Sequence, residues 1–360
     1  MSDNKLYKNK MGMFDFIKGI AIFAVILCHT VECWKDDPIC NILVVSNSVI
    51  GACWMPLFFM SSAYWYKKRP VKAYIKSQMS NLIIPFLRME VVAWICYGII
   101  SYIKWRDAHG ALMGIRGLML GAATGSMTEV VVKGIRIGNV GPMWFVVSLF
   151  FTSIIFNWIM NQDKIKDKKA VIIFITLVGV LFGKFKWQPY CFSAAFAALL
   201  SYYIGYQLKN TGFLLRKWTR KECIFIAGII VGSYLSVGFL SRMELYCNAV
   251  YITFGIPMGI VAMRLGLIIG KRGDNAFTLF VKKMGRYTFW ILMVHTIEVF
   301  SIDWNWFKNW HVLSGFAPIV QFVIVLIIRL CLDAFGCYVL AKLSKLYMRI
   351  KGNGVSNRVA

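Results

Sequence analysis

Long apolar runs interrupted by charged and turn residues organise this chain, in place of the two-residue alternation of a half-buried strand. Taking those interruptions as breaks leaves ten runs, approximately 14–33, 43–65, 82–103, 141–160, 170–183, 190–208, 222–240, 247–269, 287–302 and 313–340. Most are near the roughly 20 residues a helix needs to cross a hydrocarbon core about 30 Å thick. The fifth run, Ala170 to Gly183, is short and requires Lys169 and Lys184 to reach back to the interface. The pattern predicts an all-α integral membrane protein of about ten transmembrane helices. It reads as one domain over residues 1–360, with 1–13 and 346–360 as short tails. The segment 104–139 has glycines recurring from Gly110 to Gly138, with Gly141 just beyond, and is expected to be a re-entrant or lid-like element.

Composition agrees with this pattern: 59% of the 360 residues are hydrophobic and mean hydropathy is +0.63, against roughly 45–50% apolar residues in a soluble domain. A formal charge of +25 raises the question of nucleic acid. The basic residues form no face or tail but punctuate the gaps between runs, so they read as a topology signal and no nucleic-acid partner is expected. With the N-terminus inside, the inner segments hold 27 Lys and Arg and the outer ones 10, which sends both termini to the cytoplasm of a plasma-membrane protein. Lys5, Lys8 and Lys10 precede the first run and no small-residue cleavage site follows it, so it is expected to stay as a helix. The ten cysteines contain no CxxC pair and sit mostly inside apolar runs as small hydrophobes. No metal site is expected, and Cys33–Cys40 is the single disulfide candidate.

Candidate chemistry concentrates on the first run, FDFIKGIAIFAVILCHTVEC, whose polar residues are Asp15, Lys18, His29 and Glu32. At 100° per residue, Lys18 and His29 return to within about 20° of one another, and Asp15 and Glu32 extend the same stripe. Ionisable groups in a span are costly unless they face a bundle interior or a wet cavity, so a one-sided stripe is a functional candidate. Eleven residues at 1.5 Å rise carry His29 about 16 Å beyond Lys18. His295 and Glu298 repeat the His-to-acid spacing of His29 and Glu32, with a helix-bundle hydrogen bond the plainer reading for His295. Arg88, Glu90, Arg264 and Arg329 fall within or beside runs and need partners. Trp304, Trp306 and Trp310 read as an aromatic belt at the membrane surface.

The first-run motif, with Asp15, Lys18 and His29 at these spacings, resembles the integral-membrane acyltransferase type 3 family, the O-acyltransferases of cell-surface glycans. Three further segments are similar to that family: MPLFFMSSAYWY, GPMWFVVSLFF with Trp144 and Phe145, and MGRYTFWILMVHT with Gly285, Thr288 and His295. The family more often has Arg where Lys18 stands, and Arg-Arg where Gln78 and Asn81 stand. The resemblance implies transfer of an acyl group, expected to be acetyl, from cytosolic acyl-CoA as co-substrate to a sugar hydroxyl of an envelope glycan or lipid-linked precursor, with no bound cofactor. His29 would be the general base, Glu32 its orienting partner and Lys18 a donor-attracting charge. Asp15, Lys76 and Arg88 join Lys18 as donor-binding candidates, with Trp144 and His295 supporting the site. A multi-pass exporter or flippase of a glycan or lipid intermediate is the alternative of a different class.

Overall fold

The computed structural model describes residues 12–34, 41–183, 185, 189–237, 254–271, 275–308, 313 and 315–356. The architecture is helical, with one two-stranded hairpin among the described residues. Helix α1 (Asp15–Val31, continued by a 3-10 turn to Trp34) is apolar on almost every side. Its buried residues include Phe16, Ile17, Ala21, Ile22, Val25 and Ile26, so it must stand inside the bundle. Around it lie α2 (Asn41–Tyr64), α10 (Ile256–Lys271), α11 (Ala276–Arg286), α12 (Thr288–Ser301) and α14 (Pro318–Ser356). The remaining helices are α3 (Val71–Gln78), α4 (Ile84–Trp105), α5 (Ala108–Thr124), α6 (Trp144–Asn161), α7 (Lys168–Phe182), α8 (Phe192–Asn210), α9 (Arg220–Val237) and α13 (Trp304–Lys308). Because α1 runs through the middle, it defines a lysine end, at Asp15–Lys18, and a histidine end, at His29–Trp34.

A helix lies on each of the ten expected runs, and five stretches are long and apolar enough to cross a membrane: Asp15–Trp34, Val71–Trp105, Gly141–Asn161, Pro189–Asn210 and Pro318–Leu340. Ile256–Gly270 and Thr288–Ser301 are shorter apolar helices. The outward surface is what a lipid solvent demands. Val91, Ile95, Ile99 and Ile103 form an exposed stripe four residues apart along α4, and Phe174, Leu177 and Leu181, three and four apart, form another on α7. This is an all-α membrane protein.

Lipid supplies little hydrophobic drive between helices, so close approach has to come from small residues. Gly19 of α1 faces the Val281 carbonyl of α11, and Gly285 of α11 faces the Asp15 carbonyl of α1. A Cβ at either position would collide with backbone. Gly205 of α8 meets the backbone of Met60 on α2 in the same way, and Gly179 of α7 meets α8 near Ala197. At the start of α11 a capping box sets the helix direction: Asn275 accepts from the Thr278 amide at 2.8 Å and Thr278 Oγ1 accepts from the Asn275 amide at 2.9 Å.

The glycine-rich 104–139 segment folds as helix α5 followed by a hairpin of β1 (Val130–Val132) and β2 (Ile135–Ile137), with Val130 opposite Ile137. Lys133 and Gly134 both have positive φ, 49° and 79°, as a two-residue type I′ turn requires. Gly117 and Gly121 form a bare edge on α5 against which Gly138 lies, and the Gly138 amide donates to the Gly117 carbonyl at 2.9 Å. The Cys33–Cys40 pairing and the role of Trp310 fall outside the described residues.

Replacing Gly285 with Val should lower thermal stability in detergent, since inserting methyl groups into packed backbone costs roughly 1–3 kcal/mol or more. Gly228→Ala, inside α9 with open space around it, should leave the melting temperature unchanged or raise it slightly. Paired thermal-shift measurements on the two variants check this contrast.

Candidate active site

α1 ends with His29 at the rim of the histidine end. Its side chain is 30% exposed, and Nδ1 lies 3.3 Å from Oε2 of Glu32, one turn on and 70% exposed. His29 borders two cavities. One is a cleft of about 920 Å³ opening at the histidine end, between the outer turns of α4 and the α12–α13 connection. The other is a pocket of about 60 Å³ reaching into the bundle between Val25, Trp54, Phe58, Trp144, Phe145 and Leu292, with Thr288 as a polar edge. A ring nitrogen at this position can serve a group in either space, which is the geometry of a transfer site.

Behind His29 stands His295 of α12, with ring centroids 5.3 Å apart and planes tilted by 48°. His295 is wholly buried, and its Nδ1 lies 2.8 Å from Glu298 Oε1 and 3.3 Å from Asp333 Oδ2. Arg329 of α14 completes the group, placing Nε at 3.0 Å and Nη2 at 2.7 Å from Glu298 Oε1. Trp304 Nε1 donates to the other Glu298 oxygen, and the Arg329 guanidinium sits 5.0 Å from the centre of the Trp304 ring. Ligand-type atoms of His295, Glu298 and Asp333 lie within 4.8 Å of one another, the spacing of a metal-binding group. The guanidinium on Glu298 already supplies the balancing positive charge there, which favours an ion-pair network over a cation site.

At the other end, Lys18 interacts with the Asp15 carboxylate one turn away, and Asp15 Oδ2 accepts from the Gly12 amide at 2.6 Å. A third cavity, about 460 Å³, opens after the end of α2; its cations are Lys67 and Arg69, beside Tyr66, Tyr74, Gln78 and Asn81. Asn157 of α6 fixes this loop by accepting from Tyr66 Oη at 2.8 Å and donating to the Arg69 carbonyl at 3.1 Å.

The structure brings His29, Glu32, Trp144 and His295 together. It leaves Lys76 and Arg88 exposed and outside all three cavities, because α3 and the first turns of α4 turn those side chains away. The expectation that Arg88 pairs with another helix fails for the same reason: that face of α4 is exposed. The belt reading is corrected for Trp304, which is 5% exposed and bonded to Glu298. Trp306 is 50% exposed and borders the cleft. Asp333 went unrecognised as a site residue, although its i,i+4 spacing from Arg329 on an otherwise apolar helix was a readable signal.

Lys104 of α4 and Asp303 of the α12–α13 connection close the outer cleft wall to wall, with Nζ–Oδ2 at 2.7 Å. The Lys104 ammonium holds the Asp303 carboxyl below the usual aspartate range. The tie is therefore complete above the range where a free aspartate ionises and is lost as pH falls through the lower native value.

The fold is thus a helical membrane bundle whose candidate site is a histidine–carboxylate pair between two cavities. A family model for an acyltransferase domain, of the type 3 group, matches residues 12–332, and the chain belongs to that acyltransferase family. No curated protein and no solved structure matches the chain.

Removing Arg329 alone should be strongly destabilising, by roughly 3–5 kcal/mol, because Glu298 is then buried without its counter-charge. Arg329→Met combined with Glu298→Gln should recover part of that loss. Unfolding midpoints of the two variants in one detergent compare the outcomes.

Proposed function

We propose that this acyltransferase is a multi-pass plasma-membrane O-acyltransferase with cytoplasmic termini. It carries an acetyl group from acetyl-CoA on the cytosolic, lysine side to a sugar hydroxyl of an envelope glycan or lipid-linked precursor on the outer, histidine side. The observation that carries this reading is the place of His29, on the shared wall of the large cleft and the small inner pocket. An acceptor alcohol entering through the cleft and a thioester reaching the pocket from within meet at one imidazole.

In the proposed reaction the acceptor hydroxyl loses its proton to His29 as its oxygen attacks the thioester carbonyl. The tetrahedral intermediate then expels the thiolate, which takes the proton from the imidazolium. Glu32, at 3.3 Å from Nδ1, holds the tautomer that leaves Nε2 basic. Lys18, with Lys67 and Arg69 around the third cavity, offers positive charge to the phosphates of the donor. Lys76 and Arg88, exposed and outside this cavity, stay as outlying donor-side candidates. The pocket supports acetyl over succinyl: its volume is about 60 Å³ and its walls are mostly apolar beyond His29, Glu32 and Thr288, and burying a further free carboxylate there would cost several kcal/mol.

His29→Ala should reduce acyl transfer by about 10²–10⁴-fold, the usual contribution of a positioned general base. Coenzyme A release by the purified protein, measured with envelope oligosaccharides as acceptors, reads this directly. Equal release by parent and variant would overturn the role of His29.

A further inference from the structure

The outer cleft carries information about the acceptor that the reaction alone does not. Its volume, about 920 Å³, lies at the upper end of the roughly 300–1,000 Å³ of small-molecule sites. It therefore has room for more than the single hydroxyl that reacts. Two large aromatic side chains stand at its opposite walls: Trp105, at the end of α4, is 67% exposed, and Trp306, on α13, is 50% exposed. The Lys104–Asp303 tie joins the same two walls directly beside them. Asp303 also organises the Trp306 side, since its Oδ1 accepts from the amides of Asn305 at 3.2 Å and Trp306 at 3.3 Å. The Lys104 ammonium also lies 4.7 Å from the centre of the Trp105 ring and anchors that indole on the cleft wall.

Charge narrows the ligand further. Among the described residues, the cations bordering the cleft are Lys104 and Arg329, and each is already bound to a carboxylate, Asp303 and Glu298 respectively. The acids bordering it, Glu32 and Asp303, face its interior or rim. A phosphate or uronate would meet negative charge with its counter-cations engaged, and would leave a desolvated anion without a partner. A neutral ring has no such difficulty. Indole faces carry negative quadrupole density and present large flat areas at little entropy cost, and they accept the C–H face of a sugar ring while hydroxyls bond to the polar groups between them.

We propose that Trp105 and Trp306 form a sugar-stacking subsite in the outer cleft that binds an uncharged pyranose ring of the acceptor. The proposal rests on the glycan-acylation reading for its purpose, while the binding it describes is measurable without donor or catalysis.

The test is equilibrium binding to the purified full-length protein in nanodiscs, by saturation-transfer difference NMR and competition. The probes are the methyl pyranosides of glucose, galactose, mannose and N-acetylglucosamine, set against glucuronic acid and the matching sugar 6-phosphates. At least one neutral pyranoside should bind 10-fold or more tightly than its anionic counterparts. Trp306→Ala and Trp105→Ala should each weaken that binding 10-fold or more, and Trp306→Phe should recover most of it. Trp158→Ala, an exposed tryptophan on α6 outside the cleft, should leave it unchanged. Equal or tighter binding of the anionic probes, no binding of any neutral pyranoside, or affinity untouched in both cleft variants would overturn the subsite. The neutral-against-anionic comparison uses the parent protein, so it holds even if a tryptophan variant fails to fold. Acylation of glycans with cleft-independent sugar binding would defeat this subsite alone. Trp306-dependent binding without acylation would defeat the proposed reaction and leave the subsite standing.

Discussion

Glu298 and Arg329 face each other at 2.7 Å in the interior of a bundle whose surroundings are otherwise hydrocarbon-like, and much of the site depends on that pairing. Ionised groups can remain there because each meets an opposite charge and further hydrogen bonds; alone, either would be expelled or neutralised. The pair ties α12 to α14 and gives His295 a fixed carboxylate partner. It also draws Trp304 inward, which folds the chain after α12 back over the cleft. His29 then packs against a histidine that cannot turn away. The electrostatic knot lies behind the partly exposed imidazole, and only its Arg329 and Trp304 edges reach the cleft.

The second constraint is distance between helix axes. Gly19 and Gly285 let α1 and α11 touch backbone to backbone at the lysine end, while at the histidine end α1 meets α12 through large rings. The helices are therefore tight where Lys18 sits and opened by side chains where His29 sits. That divergence creates space for the cleft and the small pocket without any irregular backbone in the middle of α1.

Much of the helix plan could be read from the chain because lipid imposes a simple rule: every buried backbone group must be satisfied within its own segment, so length and hydropathy mark the helices. The relation of His29 to Glu32 was legible for an equally local reason, an i,i+3 step on one helix. The pairing of Asp333 with His295 was not, because the two lie 38 residues apart and only the packing of α12 on α14 brings them together. Arg88 misled in the opposite sense: a charge at the edge of an apolar run implied an interior partner, whereas a side chain near a helix end can simply reach outward. The 104–139 segment was ambiguous because its glycines signal flexibility in isolation, while in the fold Gly117, Gly121 and Gly138 are what allow a hairpin to lie flat on α5.

The walls of the small pocket beside His29 belong to the packed core, with Phe58 and Leu292 among the buried residues and Trp144 and Phe145 set against them. Under the proposed reaction those side chains are the gauge for acyl length. Such a gauge cannot be reset independently of the scaffold, since trimming a core residue to admit a longer chain leaves a void in the apo protein and typically removes about 2–5 kcal/mol of stability. Donor range and robustness are thus one property of this molecule, and a lineage that broadened the first would have to strengthen helix contacts elsewhere.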